Sequence, residues 1–233
     1  MSLSLNYFAR SLPVRSTSSI ALCVLGLTLL PGASLLPGIA SAGTSRAAAF
    51  AAASYKISAS QSSFMVHAGV HGLLSSFGHN HNIAVKDFSG TARFDPDNPS
   101  ASGLDLRVRA ASLTVIDKIK EGDKQSIEKT MREQVLEVSK YPEIAFKSTS
   151  VSIAKTGEGQ YRADMWGDLS LHGVTKRGFI RAAVSIQGNT LRAKGEFPVI
   201  QTDYKIEPVS VVGGTIKVKN ELKLDFDLVA NKE

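Results

Sequence analysis

Residues 55–230 are predicted to form an antiparallel β domain, a barrel or a sandwich, with one amphipathic helix. Three observations predict it. Apolar and polar residues alternate in several runs: Leu104, Leu106 and Val108 against Asp105, Arg107 and Arg109; and Leu222, Leu224, Phe226 and Leu228 against Lys223, Asp225 and Asp227. Ile180, Ala182, Val184 and Ile186 do the same more weakly. Alternation of period two gives a strand one dry face and one wet face. Turn signals separate the runs, at Asp95-Pro96-Asp97-Asn98-Pro99, Gly157-Glu158-Gly159, Gly188-Asn189 and Gly213-Gly214. Only residues 123–136 switch to a helical period.

The elements follow in chain order. Residues 1–42 read as an export signal: Arg10 and Arg15, an apolar run at 20–30, then Ala40-Ser41-Ala42 for cleavage near Ala42. An uncleaved span is the rival, because 20–42 carries no charge; Pro31 and Pro37 argue against one long helix there. Leu22 before Cys23 is too bulky for a lipoprotein cleavage site. The expected product is periplasmic or secreted. Cys23, the only cysteine, leaves with the signal, which excludes a disulfide, a thiol nucleophile and a Cys-ligated metal. Residues 43–54, rich in Ala, Gly, Ser and Thr, read as a linker.

Loss of Arg10 and Arg15 leaves 25 basic residues against 21 acidic ones, interspersed rather than clustered. That balance fits a solvated strand surface and not a nucleic-acid footprint. It is compatible with a transient contact with anionic headgroups at a membrane surface, and a homodimer is left open. In the helix, Ile127, Met131 and Val135 stand at i, i+4 and i+8, Asp123 is the expected N-cap, and Glu128 can pair with Arg132. Its apolar stripe needs a surface to lie on, and one end of a barrel supplies it.

Two motifs carry more. Lys140-Tyr141-Pro142-Glu143-Ile144-Ala145-Phe146-Lys147-Ser148 precedes Gly167-Asp168-Leu169-Ser170-Leu171-His172-Gly173-Val174-Thr175-Lys176 by about twenty residues. Together they resemble the paired marks of the YceI-like family. Ser63-Phe64-Met65-Val66-His67, the hairpin from Phe88 to Asp95 and Ala111-Ser112 are similar to further family elements in the same order. Arg177 stands where the family commonly has proline, and Val115-Ile116 is apolar where it is usually polar. The resemblance implies a single antiparallel eight-stranded lipocalin-like barrel, with the helix covering an end, and a polyisoprenoid or similar apolar lipid held inside. On that reading the protein is a non-catalytic carrier or store without a cofactor.

An eight-stranded barrel has room for one slender ligand, and every second residue points inward. By parity the apolar tube is expected to be lined by Phe64, Val66, Ala92, Phe94, Leu106, Val108, Phe146, Leu169 and Leu171. Met165 or Trp166 joins them, the register at that adjacent pair being open. The rival chemistry is a metal module holding Zn or Cu through His79 and His81, which share a face if extended, with His67 or His71 as a further ligand. Gly78 and Asn82 make a plain turn an equal reading. His172 reads as a hydrogen-bonded strand-end residue. No nucleophile elbow, suggestively spaced carboxylate pair or phosphate loop is present, so nothing in the chain points to an enzyme.

Overall fold

The computed structural model describes residues 52–72, 80–211 and 213–233. The expected signal (1–42), most of the linker and His79 lie outside the described residues. The linker is expected to reach residue 54, but strand already begins at Ala53.

The strands are β1 (Ala53–Ile57), β2 (Ser63–Ala68), β3 (Val70–His71), β4 (His81–Val85), β5 (Phe88–Phe94), β6 (Gly103–Arg109), β7 (Leu113–Val115), β8 (Glu143–Gly157), β9 (Gln160–Leu171), β10 (Val174–Gln187), β11 (Thr190–Ile200), β12 (Ser210–Val211), β13 (Ile216–Val218) and β14 (Glu221–Lys232). The large sheet runs β1-β5-β6-β8-β9-β10-β11-β14, and β14 pairs back onto β1. Eight antiparallel staves therefore close into a barrel, not a sandwich. Closure removes the exposed edges that an open sheet would have to protect. β3, β12 and β13 form a small separate sheet.

Three staves are bent. β1 and β2 are separated by a 3-10 turn at Ala59–Gln61, β4 and β5 by Lys86-Asp87, and β6 and β7 by a 3-10 turn at Ala110–Ser112. β14 accordingly takes β2 along Lys223 to Asp227 and β1 from Ala230 onward. Serines satisfy the backbone groups freed at the bends. The Asp87 amide donates to Ser112 Oγ at 3.0 Å, and the Val229 amide donates to Ser62 Oγ at 2.9 Å.

Alternation decides what faces where. On β14, Leu228 and Ala230 are buried and Leu222, Leu224 and Phe226 pack against the same core. Between them Asp227 accepts from Arg192 at 2.6 Å, and Asp225 lies 2.7 Å from His67. Arg181–Asp164, Arg107–Glu143 and Arg109–Asp87 repeat this on other staves. The wet faces carry cross-strand ion pairs and the dry faces line one core.

Helix α1 spans Glu121–Thr130 and continues as a π-helical turn, Met131–Val135. This corrects two expectations. The N-cap is Lys120, with no side-chain cap, and Asp123 sits inside the first turn with Glu121, where both complement the helix dipole. The C-terminal part is not α-helical: the Leu136 amide donates to the Met131 carbonyl at 2.9 Å. The wider turn lets both Met131 and Leu136 bury. Glu128 and Arg132 do pair, at 2.9 Å. Glu128 also accepts from the buried Val115 amide at 3.0 Å, and Arg132 reaches the Leu113 carbonyl at 3.4 Å. The helix thus lies along the outer edge of β7, at one end of the barrel.

Candidate functional site: an apolar cavity inside the barrel

The barrel is hollow. A cavity of about 180 Å³ is lined from β1, β2 and β4–β6, then from β8–β11 and β14, with Leu113 of β7 and Leu136 from the end of the helix. On β9 the lining runs from Ala163 to Leu171, roughly 27 Å of strand at about 3.3 Å per residue. Of the lining residues, only Arg93 and Ser102 have polar side chains. Arg93 is exposed. The Ser102 hydroxyl is committed to Asp95, accepting from its amide at 2.8 Å and donating to its carbonyl at 3.2 Å. A guest in this space meets hydrocarbon and no free hydrogen-bonding group along most of its length.

The expected residues come together here. Phe64 and Val66 from β2, Phe94 from β5, and Leu106 and Val108 from β6 line the cavity, as do Phe146 from β8 and Met165, Leu169 and Leu171 from β9; Ala92 is with them. Trp166 is the correction. Met165 takes the inward position at 8% exposure, so strand parity turns Trp166 outward, 45% exposed. Both neighbours are large and apolar, and composition alone cannot say which faces in.

Other contributors escaped the sequence reading. Leu136 belongs to the helix, outside the strand alternation. Gly167 and Gly195 stand on the inner faces of β9 and β11. A Cβ on Gly167 would lie 2.4 Å from Phe146 Cζ, and one on Gly195 2.7 Å from Phe226 Cζ. The two rings therefore lie back on bare backbone instead of projecting into the void. Their mark lies in strand pairing and not in the hydrophobic pattern: Gly195 stands directly opposite Phe226, and Gly167 diagonal to Phe146.

The two motifs meet at one end of the barrel. His172 and Gly173 form the β9–β10 turn, both left-handed at φ 51° and 72°, as a type I′ hairpin turn requires. The Tyr141 ring occupies the space over Gly173, where a Cβ would stand 2.5 Å from the ring. The Tyr141 ring centroid lies 4.5 Å from that of His172. One His172 nitrogen is 2.6 Å from a Glu137 carboxylate oxygen and the other 3.1 Å from the Tyr204 carbonyl. The motif residues thus bind the helix end, the β9–β10 turn and the 3-10 turn Gln201–Tyr204 into one rim. Burial pushes the Tyr204 phenol above its ordinary range. Leu171 and Leu136, next to this rim, face the cavity.

Of the histidines of the metal reading, His81 and His67 are held by other side chains. His81 Nδ1 lies 2.9 Å from Asp117 Oδ2. Burial raises the Asp117 carboxyl, but hydrogen bonds from His81 and Asn82 outweigh it and hold the group below the usual carboxylate range. His67 sits between Asn82 and Asp225, 2.7 Å from each, and His71 lies on β3. Among the described residues no group of three His, Cys, Asp or Glu side chains is placed to hold a metal ion.

Comparison with known proteins agrees with this geometry. Residues 55–230 match the YceI-like domain. A UPF0312 protein of Pseudomonas savastanoi pv. phaseolicola is 40% identical over 103 residues, 44% of this chain and 48% of that one. A UPF0312 protein of Pseudomonas putida W619 is 35% identical over 137 residues, 59% of this chain and 65% of that one. The matched region thus spans about half to two thirds of these relatives. Among solved structures, BcnA of Burkholderia cenocepacia superposes with a TM-score of 0.57 at 19% identity, covering 75% of this chain and 99% of that one. A polyisoprenoid binding domain from Saccharophagus degradans, implicated in plant cell wall breakdown, gives 0.56 at 13% identity, covering 77% and 98%. These two likenesses establish the shared fold, and the domain match over most of the chain places the protein in the YceI-like family.

Proposed function

We propose that the protein holds the chain of an apolar lipid, of polyisoprenoid type, inside the barrel, and carries or sequesters it without chemistry. The observation that carries this reading is the 180 Å³ cavity with an almost wholly hydrocarbon wall. A dry apolar void of ~150 Å³ admits a benzene-sized guest. The cavity therefore has room for about one isoprene unit, and a longer chain extends it by displacing lining side chains or running out of a barrel end. An isoprenoid suits such a space because it has no polar atom to satisfy along its length. At ~0.8 kcal/mol per buried carbon, one five-carbon unit contributes roughly 4 kcal/mol before ordering costs. Support also comes from the fold shared with the polyisoprenoid binding domain of Saccharophagus degradans. The export signal read in residues 1–42 supports a place for this activity in the periplasm or outside the cell.

The test is a titration of delipidated mature protein with farnesol and with a longer polyprenol, read by calorimetry. Saturable binding at one site per barrel is expected, tighter for the longer chain. Leu106→Asp, on the cavity wall, weakens it by at least about tenfold, while Arg107→Asp, on the outer face, leaves it unchanged. Wild-type protein that binds neither alcohol, or an Arg107→Asp variant as impaired as Leu106→Asp, contradicts the reading.

A further inference from the structure

Trp166 is displaced from the cavity to the outer wall, and it is not alone there. Its register partner across β9–β10 is Phe179, and the two rings lie 5.2 Å apart. They are 45% and 39% exposed, and with Ile116 they are the exposed large hydrophobic residues among those described. Single exposed apolar side chains are ordinary, but a contacting aromatic pair on the wet face of a barrel is not. Among the described residues, the flanking strands leave both rings open to solvent. On the β8 side, Trp166 faces Ser150 at a bulge. On the other side, the β10–β11 ladder ends at Arg181, short of Phe179.

Two guanidinium groups frame the pair. Arg177 lies over the Trp166 ring, 5.1 Å from its centroid, and Arg181 over Phe179 at 5.6 Å. Arg181 is also held by Asp164 at 2.6 Å. Arg177 stands opposite Asp168 in the β9–β10 register, yet among the described residues it makes no ion pair, and its guanidinium turns over the Trp166 ring instead. The wall here presents, on one face, an indole, a phenyl ring and cations stretched across them. This is the chemistry that settles at the boundary between headgroups and acyl chains, with rings lying shallow and guanidinium groups on phosphates.

We propose that this face of β9–β10 docks the protein on an anionic phospholipid bilayer. The charge argument favours a bilayer over a second copy of the chain. Without Arg10 and Arg15 the chain carries 25 basic against 21 acidic residues, a net +4 that complements an anionic surface and repels a second copy. The inference rests on the lipid-holding reading above for its purpose, since an apolar cargo enters and leaves by way of a membrane.

The molecule carries its own probe, because Trp166 is the only tryptophan. Delipidated mature protein is mixed with phosphatidylcholine vesicles containing about 30% phosphatidylglycerol. The expected result is a blue shift of the tryptophan emission, quenching by brominated acyl chains, and co-flotation that weakens with added salt. Pure phosphatidylcholine vesicles give a much smaller effect. Phe179→Ala combined with Arg177→Ala lowers the bound fraction by roughly tenfold, and Arg177→Glu alone does so by charge reversal; both leave the far-ultraviolet circular dichroism and the farnesol titration as in wild type. Emission unchanged by the anionic vesicles, or variants that float as well as wild type, overturns the proposal. A blue shift that grows with protein concentration and is unaffected by vesicles assigns the patch to self-association and also overturns it. Loss of farnesol binding with vesicle docking intact counts against the lipid-holding reading and not against this one.

Discussion

Gly167 has no side chain, and Phe146 uses the space. The ring lies where a Cβ would stand 2.4 Å from its Cζ atom, and Phe226 treats Gly195 in the same way. Two of the bulkiest lining residues therefore rest against the wall, and the lumen stays open. Gly167→Ala should force the Phe146 ring inward, cost about 1–3 kcal/mol of stability and reduce bound polyprenol per barrel. Thermal melts with and without polyprenol measure both effects. Because the added Cβ would also stand 2.6 Å from the Lys147 carbonyl oxygen, pairing Gly167→Ala with Phe146→Leu should restore part of the lost occupancy; no restoration would mean that the glycine serves only the backbone. At this scale, parity in the sequence is enough to place Phe94, Leu106, Val108 and Leu169 inside, because each stands between polar neighbours. It could not separate Met165 from Trp166, where two large apolar residues adjoin. Nor did it recover Gly167, because a missing side chain leaves no mark in a hydrophobic pattern.

The helix shows what element-scale patterns hold and lose. Ile127, Met131 and Val135 carry the helical period that locates it. Leu136 faces the cavity because the last turn widens to a π-helical spacing, and no i, i+4 pattern anticipates that. The three bent staves were equally hard to read: each half is short, and the serines at the bends act through hydroxyl contacts to backbone and not through periodicity. Glu128 ties the helix to the barrel, accepting the Val115 amide at 3.0 Å while pairing with Arg132. Val115 is fully buried. Glu128→Ala leaves its amide without a partner and should destabilise the fold by about 1–3 kcal/mol. Glu128→Gln, which keeps a neutral acceptor, should lose less. Urea melts read the difference as a shift in midpoint at constant slope; equal losses would show that the hydrogen bond is not what anchors the helix.

At the scale of the whole molecule, the barrel separates its chemistry by face. Ion pairs lie outside, hydrocarbon lies inside, and the motif residues Tyr141, His172 and Gly173 hold one rim. The outer pairs set the response to acid. Hydrogen bonds from Arg192, helped by Lys194 and opposed by burial, hold the Asp227 carboxyl below the usual range. Arg181, opposed by a small burial cost and helped by Arg162, does the same for Asp164. A carboxylate with a depressed folded-state pKa stabilises the fold above its unfolded pKa, and that contribution fades as pH falls through the folded one. Stability should therefore be flat near neutrality and decline below the ordinary aspartate range. Asp227→Asn should be less stable than wild type at neutral pH and approach it in acid; a constant difference across pH would show that the Arg192 pair does not act through charge.

The central claim is that the inside of this barrel is a place for lipid. Its most direct measurement is organic extraction of the mature protein purified from its native host, followed by mass spectrometry of the extract. The account predicts a polyprenyl-type lipid at close to one per barrel. Protein free of any stoichiometric lipid, which also refuses added polyprenol, would contradict it.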